Sequence, residues 1–282
     1  MIAVTGGAGY TGGFLVRRLA QGDGPVRCLV RPSSDRRELE RLGVEVVLAD
    51  LESPAQVRAG LAGARTILHV AHIRFAGTVV AQAPSTTEQV VCVSSQRAVS
   101  RVPSPSVDRA QAGERAAACG PVPWTILRPT MIYGPGDDRN LSRLAAQLRR
   151  CRWVPVCGSG RALQQPVWVE DVVSAILGAC GNPRAIGRVY ALGGAEPLPL
   201  DELLDCVGAA VGVRPVKVHL PAGVCVAAVR LLGALGARPG LEPEQLWRLQ
   251  EDKACSFEAA RADLGYDPLT LAQGLARLYG HG

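Results

Sequence analysis

The chain opens on Ile2-Ala3-Val4-Thr5, an apolar run, which breaks into Gly6-Gly7-Ala8-Gly9-Tyr10-Thr11-Gly12-Gly13. Phe14-Leu15-Val16-Arg17-Arg18-Leu19 then continues at helical spacing. A chain that begins this way has few options: strand, tight turn, helix. Gly7, Gly9 and Gly12 fit G-x-G-x-x-G, and Gly6, Gly9 and Gly12 fit the related G-x-x-G-x-x-G spacing. Glycine answers three needs there: an awkward turn, close approach of backbone N–H groups to a pyrophosphate, and tight packing of helix on strand. The helix N-terminus adds its partial positive charge. A dinucleotide therefore fits the turn better than a structural role alone.

The pattern repeats along the chain. Apolar runs at 25–30, 44–49, 66–71, 89–93 and 124–128 alternate with helical stretches near 38–42, 56–61, 75–83 and 108–119. Continuous apolar strands alternating with helices indicate a parallel sheet covered on both faces. The expected fold is α/β, a Rossmann doubly wound parallel sheet over residues 1–190, with a cap insertion near 139–165. A small, mostly helical cap domain for substrate follows over 191–282, with helices at 201–211, 222–235 and 243–249 and a strand at 216–220.

Ligands of such sheets bind beyond the carboxyl ends of the strands. By that rule Asp50, His72, Ser94, Ser95 and Gln96 face the crevice. The second strand ends at Arg31, followed by Arg36 and Arg37. An acid at that terminus would accept hydrogen bonds from a ribose 2′-hydroxyl, whereas guanidinium groups suit a 2′-phosphate. Arg31 therefore points to NADP rather than NAD.

Composition narrows the partners. The net charge of +6 comes almost wholly from arginine, since Lys217 and Lys253 are the only lysines. The arginines are scattered and only three phenylalanines are available to stack on bases, which argues against nucleic acid. The nine cysteines form no C-x-x-C pair and share no zinc spacing with the four histidines. No metal is expected. The run from Val224 to Leu235 is interrupted by Arg230, so no membrane span is expected. A cytoplasmic monomer or homodimer with reduced thiols is the expected state.

Taken together, Thr5 to Gly12, Ala49-Asp50-Leu51, Val93-Ser94-Ser95, Trp124 to Asp137 and Val167 to Val172 resemble the extended, NAD(P)-dependent epimerase/dehydratase-like branch of the short-chain dehydrogenase/reductases. The resemblance covers nearly the whole chain. It implies that Gly6, Gly9, Tyr10, Thr11 and Gly12 bind pyrophosphate, that Arg31, with Arg36, binds the 2′-phosphate, and that Asp50 and Leu51 flank the adenine. It further implies that Val70, Ala71 and His72 lie along the ribose, with Ser94, Pro129, Thr130 and Met131 approaching the nicotinamide.

One departure is informative. The family's Tyr-x-x-x-Lys pair would fall near Ser106 and Ala110, and no tyrosine in the chain has a lysine four residues on. The chain thus resembles an atypical branch in which the pair is lost. A proton must then come from a water or substrate group held by Ser95, from His72, from Tyr133 or from the substrate itself. Each has a structural alternative: Ser95 as a backbone cap, His72 as a polar crevice residue, Tyr133 as packing beneath its loop. The expected activity is an NADP(H)-dependent oxidoreductase or epimerase acting by hydride transfer on a small or nucleotide-linked substrate. The alternative is a non-catalytic NADP-binding redox sensor or assembly protein.

Overall fold

A computed structural model describes residues 1–234 and 243–280. Seven parallel strands form one sheet: β1 (Ile2–Thr5), β2 (Val26–Val30), β3 (Glu45–Leu48), β4 (Thr66–His69), β5 (Gln89–Val93), β6 (Trp124–Pro129) and, later in the chain, Arg188–Leu192. The last becomes β11, because four short strands intervene: β7 (Ile132–Tyr133), β8 (Trp153–Cys157), β9 (Leu163–Gln164) and β10 (Val167–Trp168). Across the sheet the order is β11-β6-β5-β4-β1-β2-β3. The order reverses between β1 and β4, which is where a crevice opens in such sheets.

The intervening helices are α1 (Tyr10–Leu19), α2 (Arg37–Arg41), α3 (Pro54–Leu61), α4 (Ala76–Ala81), α5 (Pro105–Ala118), α6 (Leu141–Arg150) and α7 (Val169–Ala179). Strand side chains alternate between the two covered faces. Val4, Cys28, Val30, Leu68, Val91, Val93 and Leu127 pack on the side of α1 and α7. Ala3, Leu29, Ile67, Val90, Cys92 and Ile126 pack on the side of α3, α4 and α5. Burial on both faces is why these strands read as unbroken apolar runs.

The cap holds β12 (Leu198–Pro199), α8 (Leu200–Ala210), β13 (Val216–Leu220), α9 (Ala222–Ala234), α10 (Pro243–Arg248), α11 (Glu258–Leu264) and α12 (Leu271–Tyr279). The expected α9 ran to Leu235, a residue outside those described. A third core joins β7, α6, β8, β10, α8 and α12 through Tyr133, Leu148, Val154, Trp168, Leu203 and Leu275. The 139–165 region thus packs with the C-terminal helices.

Three features differ from expectation. The helix expected from 108 starts at Pro105, because proline presets the first helical φ and Ser104 Oγ accepts from Val107 N. The seventh strand, β11, spans the expected boundary at 190. Finally, Phe257, Ala260, Leu264 and Tyr266 join the sheet-side core beside α7, so part of the last segment returns to the first domain. Tyr190 Oη donates to Asp263 Oδ2 (2.8 Å) and Tyr266 Oη to Gly193 O (2.7 Å), fastening that return.

Candidate functional site

The glycine turn is built by backbone contact. Gly6 has φ +78°, and a Cβ there would lie 2.6 Å from Ala71 N, so the end of β1 sits directly against the segment that leaves β4. A Cβ on Gly12 would lie 2.0 Å from Gly6 O, which locks α1 onto the turn. Gly9 is different. It caps α1 with no side-chain acceptor for the helix's first amides, and a Cβ there would meet only Gly6 O at 3.1 Å. The first turn of α1 holds no acid. Open amide donors, no competing carboxylate and little bulk at Gly9 fit a pyrophosphate.

The neighbouring strand ends converge on this turn. Val70 N donates to Thr5 O (3.0 Å), placing Val70 and Ala71 beside it. Beyond β2, Arg31 is exposed and forms no ion pair among the described residues, whereas Arg36 pairs with Glu40 (2.8 Å) and Arg37 with Asp35 (2.5 Å). Of the three arginines, Arg31 keeps its guanidinium free. Beyond β3, Asp50 is exposed and Leu51 buried; Asp50 Oδ1 accepts from Glu52 N (2.9 Å), which fixes the turn.

At the end of β5 the Ser94 hydroxyl and the Gln96 side-chain carbonyl are buried and lack a hydrogen-bond partner among the described residues. Buried polar groups are rarely left so, and a ligand at the strand end would satisfy them. Beyond β6, Pro129 is buried and Thr130 Oγ1 donates to Gln165 O. Met131 packs against the cap core.

Two of the three proton-donor candidates double as backbone caps, and each keeps a proton to donate. Ser95 Oγ accepts from Arg97 N (3.2 Å), capping the short 3-10 turn Gln96–Val99. His72 Nδ1 accepts from Arg74 N (3.2 Å) in the same way, and burial followed by Arg74, Arg97 and Arg109 lowers its proton affinity. Tyr133 is fully buried: its ring stacks edge-on against Trp168 at 5.5 Å, and a Cβ on Gly274 would lie 1.9 Å from its hydroxyl. Burial raises its pKa well above the usual phenol range. Tyr133 thus packs in the core that joins β7 to the cap, and its hydroxyl has no hydrogen-bond partner among the described residues. Tyr10 is likewise tucked in, ring against Phe14 and hydroxyl beside Gly134.

Sequence reasoning missed one group. The stretch from Arg248 to Cys255 forms a strap between the loop that follows β5 and the β9 region. Glu251 Oε2 accepts from Ser100 Oγ (2.6 Å) and Oε1 from Arg101 N (2.7 Å), while Lys253 N donates to Leu163 O (2.7 Å). Arg248 donates to Ser106 Oγ (2.9 Å), one of the two positions that the missing tyrosine and lysine would take; the other, Ala110, is buried in α5. No local motif announces such a strap, since its anchors lie about 150 residues away in the chain.

A family model described as NAD(P)H-binding matches residues 6–149. The chain belongs to this NAD(P)H-binding family. A second model, the NAD dependent epimerase/dehydratase family, matches residues 109–193, which bears out the resemblance to epimerase/dehydratase-like short-chain dehydrogenase/reductases. Among relatives of this NAD(P)H-binding chain, 2-alkyl-3-oxoalkanoate reductase of Stenotrophomonas maltophilia is 27% identical, over 98% of each chain. Ceramide reductase of Caulobacter vibrioides is 32% identical over 65% of this chain and 62% of its own. Among solved structures, UDP-glucose 4-epimerase of Thermotoga maritima shares the fold with a TM-score of 0.76 and 18% identity, covering 99% of this chain and 97% of that one. No helix among the described residues is long and apolar enough to cross a membrane.

Proposed function

We propose that this chain is an NADP(H)-dependent oxidoreductase that reduces a carbonyl compound held between the sheet and the cap. The observation that carries the reading is the α1 cradle: open amides behind Gly9, beside the Val70–Ala71 segment, with the unpaired Arg31 one strand away. In this reading Gly6, Gly9, Tyr10, Thr11 and Gly12 hold the pyrophosphate through backbone, Arg31 takes the 2′-phosphate, and Asp50 with Leu51 borders the adenine. Ser94, Thr130 and Met131 border the nicotinamide. The bound nicotinamide supplies a hydride, and the protein's part is to orient it against the substrate and exclude water. Relatives named as reductases along nearly the whole chain support reduction as the direction. Nine free thiols support a reducing compartment such as the cytoplasm.

The test is cofactor titration by fluorescence or calorimetry. NADPH binds more tightly than NADH by about ten- to a hundredfold, the range for one charge-assisted contact. Arg31→Ala removes most of that ratio while NADH affinity stays put. Equal affinities in the unmodified protein sink the assignment. The competing sensor reading draws on the burial of Tyr133 and the use of Ser95 as a backbone cap. A screen of carbonyl, enone and nucleotide-sugar compounds, followed by NADPH absorbance and product stereochemistry, separates the two.

A further inference from the structure

Helix α9 is apolar nearly all round, yet only one of its sides is covered. Val226 is buried, and Ala222, Cys225 and Val229 pack with it against Cys157 at the end of β8 and Leu246 of α10. Val224, Ala227, Ala228 and Leu231 lie on the other side, at i, i+3, i+4 and i+7, and all four are exposed. A helix apolar on every side is ordinarily enclosed. This one is not.

The strands beneath it continue the same surface. β8 and β13 pair in parallel, with Trp153 opposite Val216, Pro155 opposite Val218 and Cys157 opposite Leu220. Val154 and Val156 point the other way, into the core shared with α6 and α8. Trp153, Pro155, Val218 and Leu220 therefore share the outward face. α9 packs over its Cys157 end, and those four side chains stay exposed. Trp247 of α10, the helix packed against α9, is exposed as well. Ten large apolar side chains are exposed among the described residues, and six of them belong to this one region, which marks it as an interaction surface.

Charge indicates the kind of partner. Residues 139–169 carry six arginines and no acid, and residues 206–234 carry Arg214, Lys217 and Arg230 and again no acid. These two stretches supply β8, β13 and α9. Acids do reach β13 from α8, but Asp205 is held by Lys217 (2.6 Å) and Asp201 by His219 (2.9 Å). α10 adds one acid, Glu244, a turn before Trp247. Arg150 and Arg152 adjoin Trp153 and Arg230 lies on α9; all three are exposed and form no ion pair among the described residues. Apolar side chains with exposed indoles and a cationic surround fit the boundary of an anionic bilayer. There apolar groups enter the acyl edge, indoles sit at headgroup level and guanidinium groups meet phosphate.

We propose that the face built by α9, β8 and β13 docks this chain on an anionic phospholipid surface, with Val224, Leu231 and Trp153 at the acyl edge and Arg150, Arg152 and Arg230 on the headgroup phosphates. At 13 residues α9 lies in the plane of such a surface and does not cross it. The assignment is independent of the cofactor reading.

Vesicle sedimentation of the full chain is the test. Vesicles of phosphatidylcholine mixed with phosphatidylglycerol carry the protein down, and vesicles of phosphatidylcholine alone bind it at least about tenfold less, since each cation near an anionic surface contributes about fivefold. Added salt releases the protein. Arg152→Glu and Val224→Asp each weaken binding at least about fivefold, with circular dichroism melts that match wild type. Equal binding to both kinds of vesicle, or to neither, overturns the assignment. So does a dimer in analytical ultracentrifugation that Val224→Asp dissociates, because the face is then a contact between two copies of this chain.

Discussion

Gly9 and Gly12 stand three residues apart and answer to different neighbours. Gly12→Ala drives a Cβ to 2.0 Å from a backbone oxygen that cannot yield, so we expect upwards of about 2 kcal/mol of lost stability. Gly9→Val meets that oxygen only at 3.1 Å, and mainly fills the space before the α1 amides. It keeps most of the thermal stability and loses NADPH binding. Circular dichroism melts beside calorimetry read both effects; a Gly9→Val protein that binds NADPH normally refutes the phosphate cradle. The glycine spacing was legible in the sequence because it is local. The division of labour within it was not, because it depends on Ala71 and Gly6 meeting across two strands. The same holds for Tyr133, whose sequence context places it at a strand end but cannot show Gly274 closing over its hydroxyl.

Among elements, α7 carries a charge at odds with its surroundings. Asp171, in its first turn, accepts from Leu269 N (2.9 Å) and so ties the sheet to the lead-in of α12. Burial is the main cause that lifts its pKa from 3.8 to about 6. A carboxyl raised in the folded state favours folding most below its ordinary value, and that favour is lost as pH climbs through about 6. Ionised Asp171 thus costs on the order of 2 kcal/mol at pH 8. Asp171→Asn keeps an acceptor for Leu269 and should melt higher than wild type at pH 8, with the gain gone near pH 4. Equal melting curves at both pH values refute this. Strands with both faces covered announce themselves as apolar runs, and β5 matched its expected span of 89–93. The elements overlooked are of another kind. β11 is an edge strand with Arg188 and Val189 exposed, which blurs the run. α11 has only seven residues, too few for a periodic stripe. α12 did carry a signal, the Thr270–Gln273 capping box ahead of Leu271.

At the scale of the whole molecule, the division drawn near residue 190 from the fading strand–helix alternation meets a chain that crosses back. Residues 257–266 complete the apolar layer under α7 and β11, and Asn182 Nδ2 donates to Asp263 O (2.7 Å). A fragment of residues 1–190 should therefore lack a cooperative melt and bind the apolar dye ANS, whereas the full chain unfolds in one transition. A sharp transition in the fragment would show that the returning segment adds nothing.

This return also sets a clock on synthesis. The 65 residues that follow Leu192, up to Phe257, take roughly 3 to 13 s to emerge at 5–20 residues per second. Throughout that interval the nascent domain holds Tyr190 and the Gly178 end of α7 uncovered, a sticky face with its lid still unmade. Such a protein reaches its native state only after residues 257–266 have been made. Its yield in the cell then depends on whatever shields that face until the returning segment arrives.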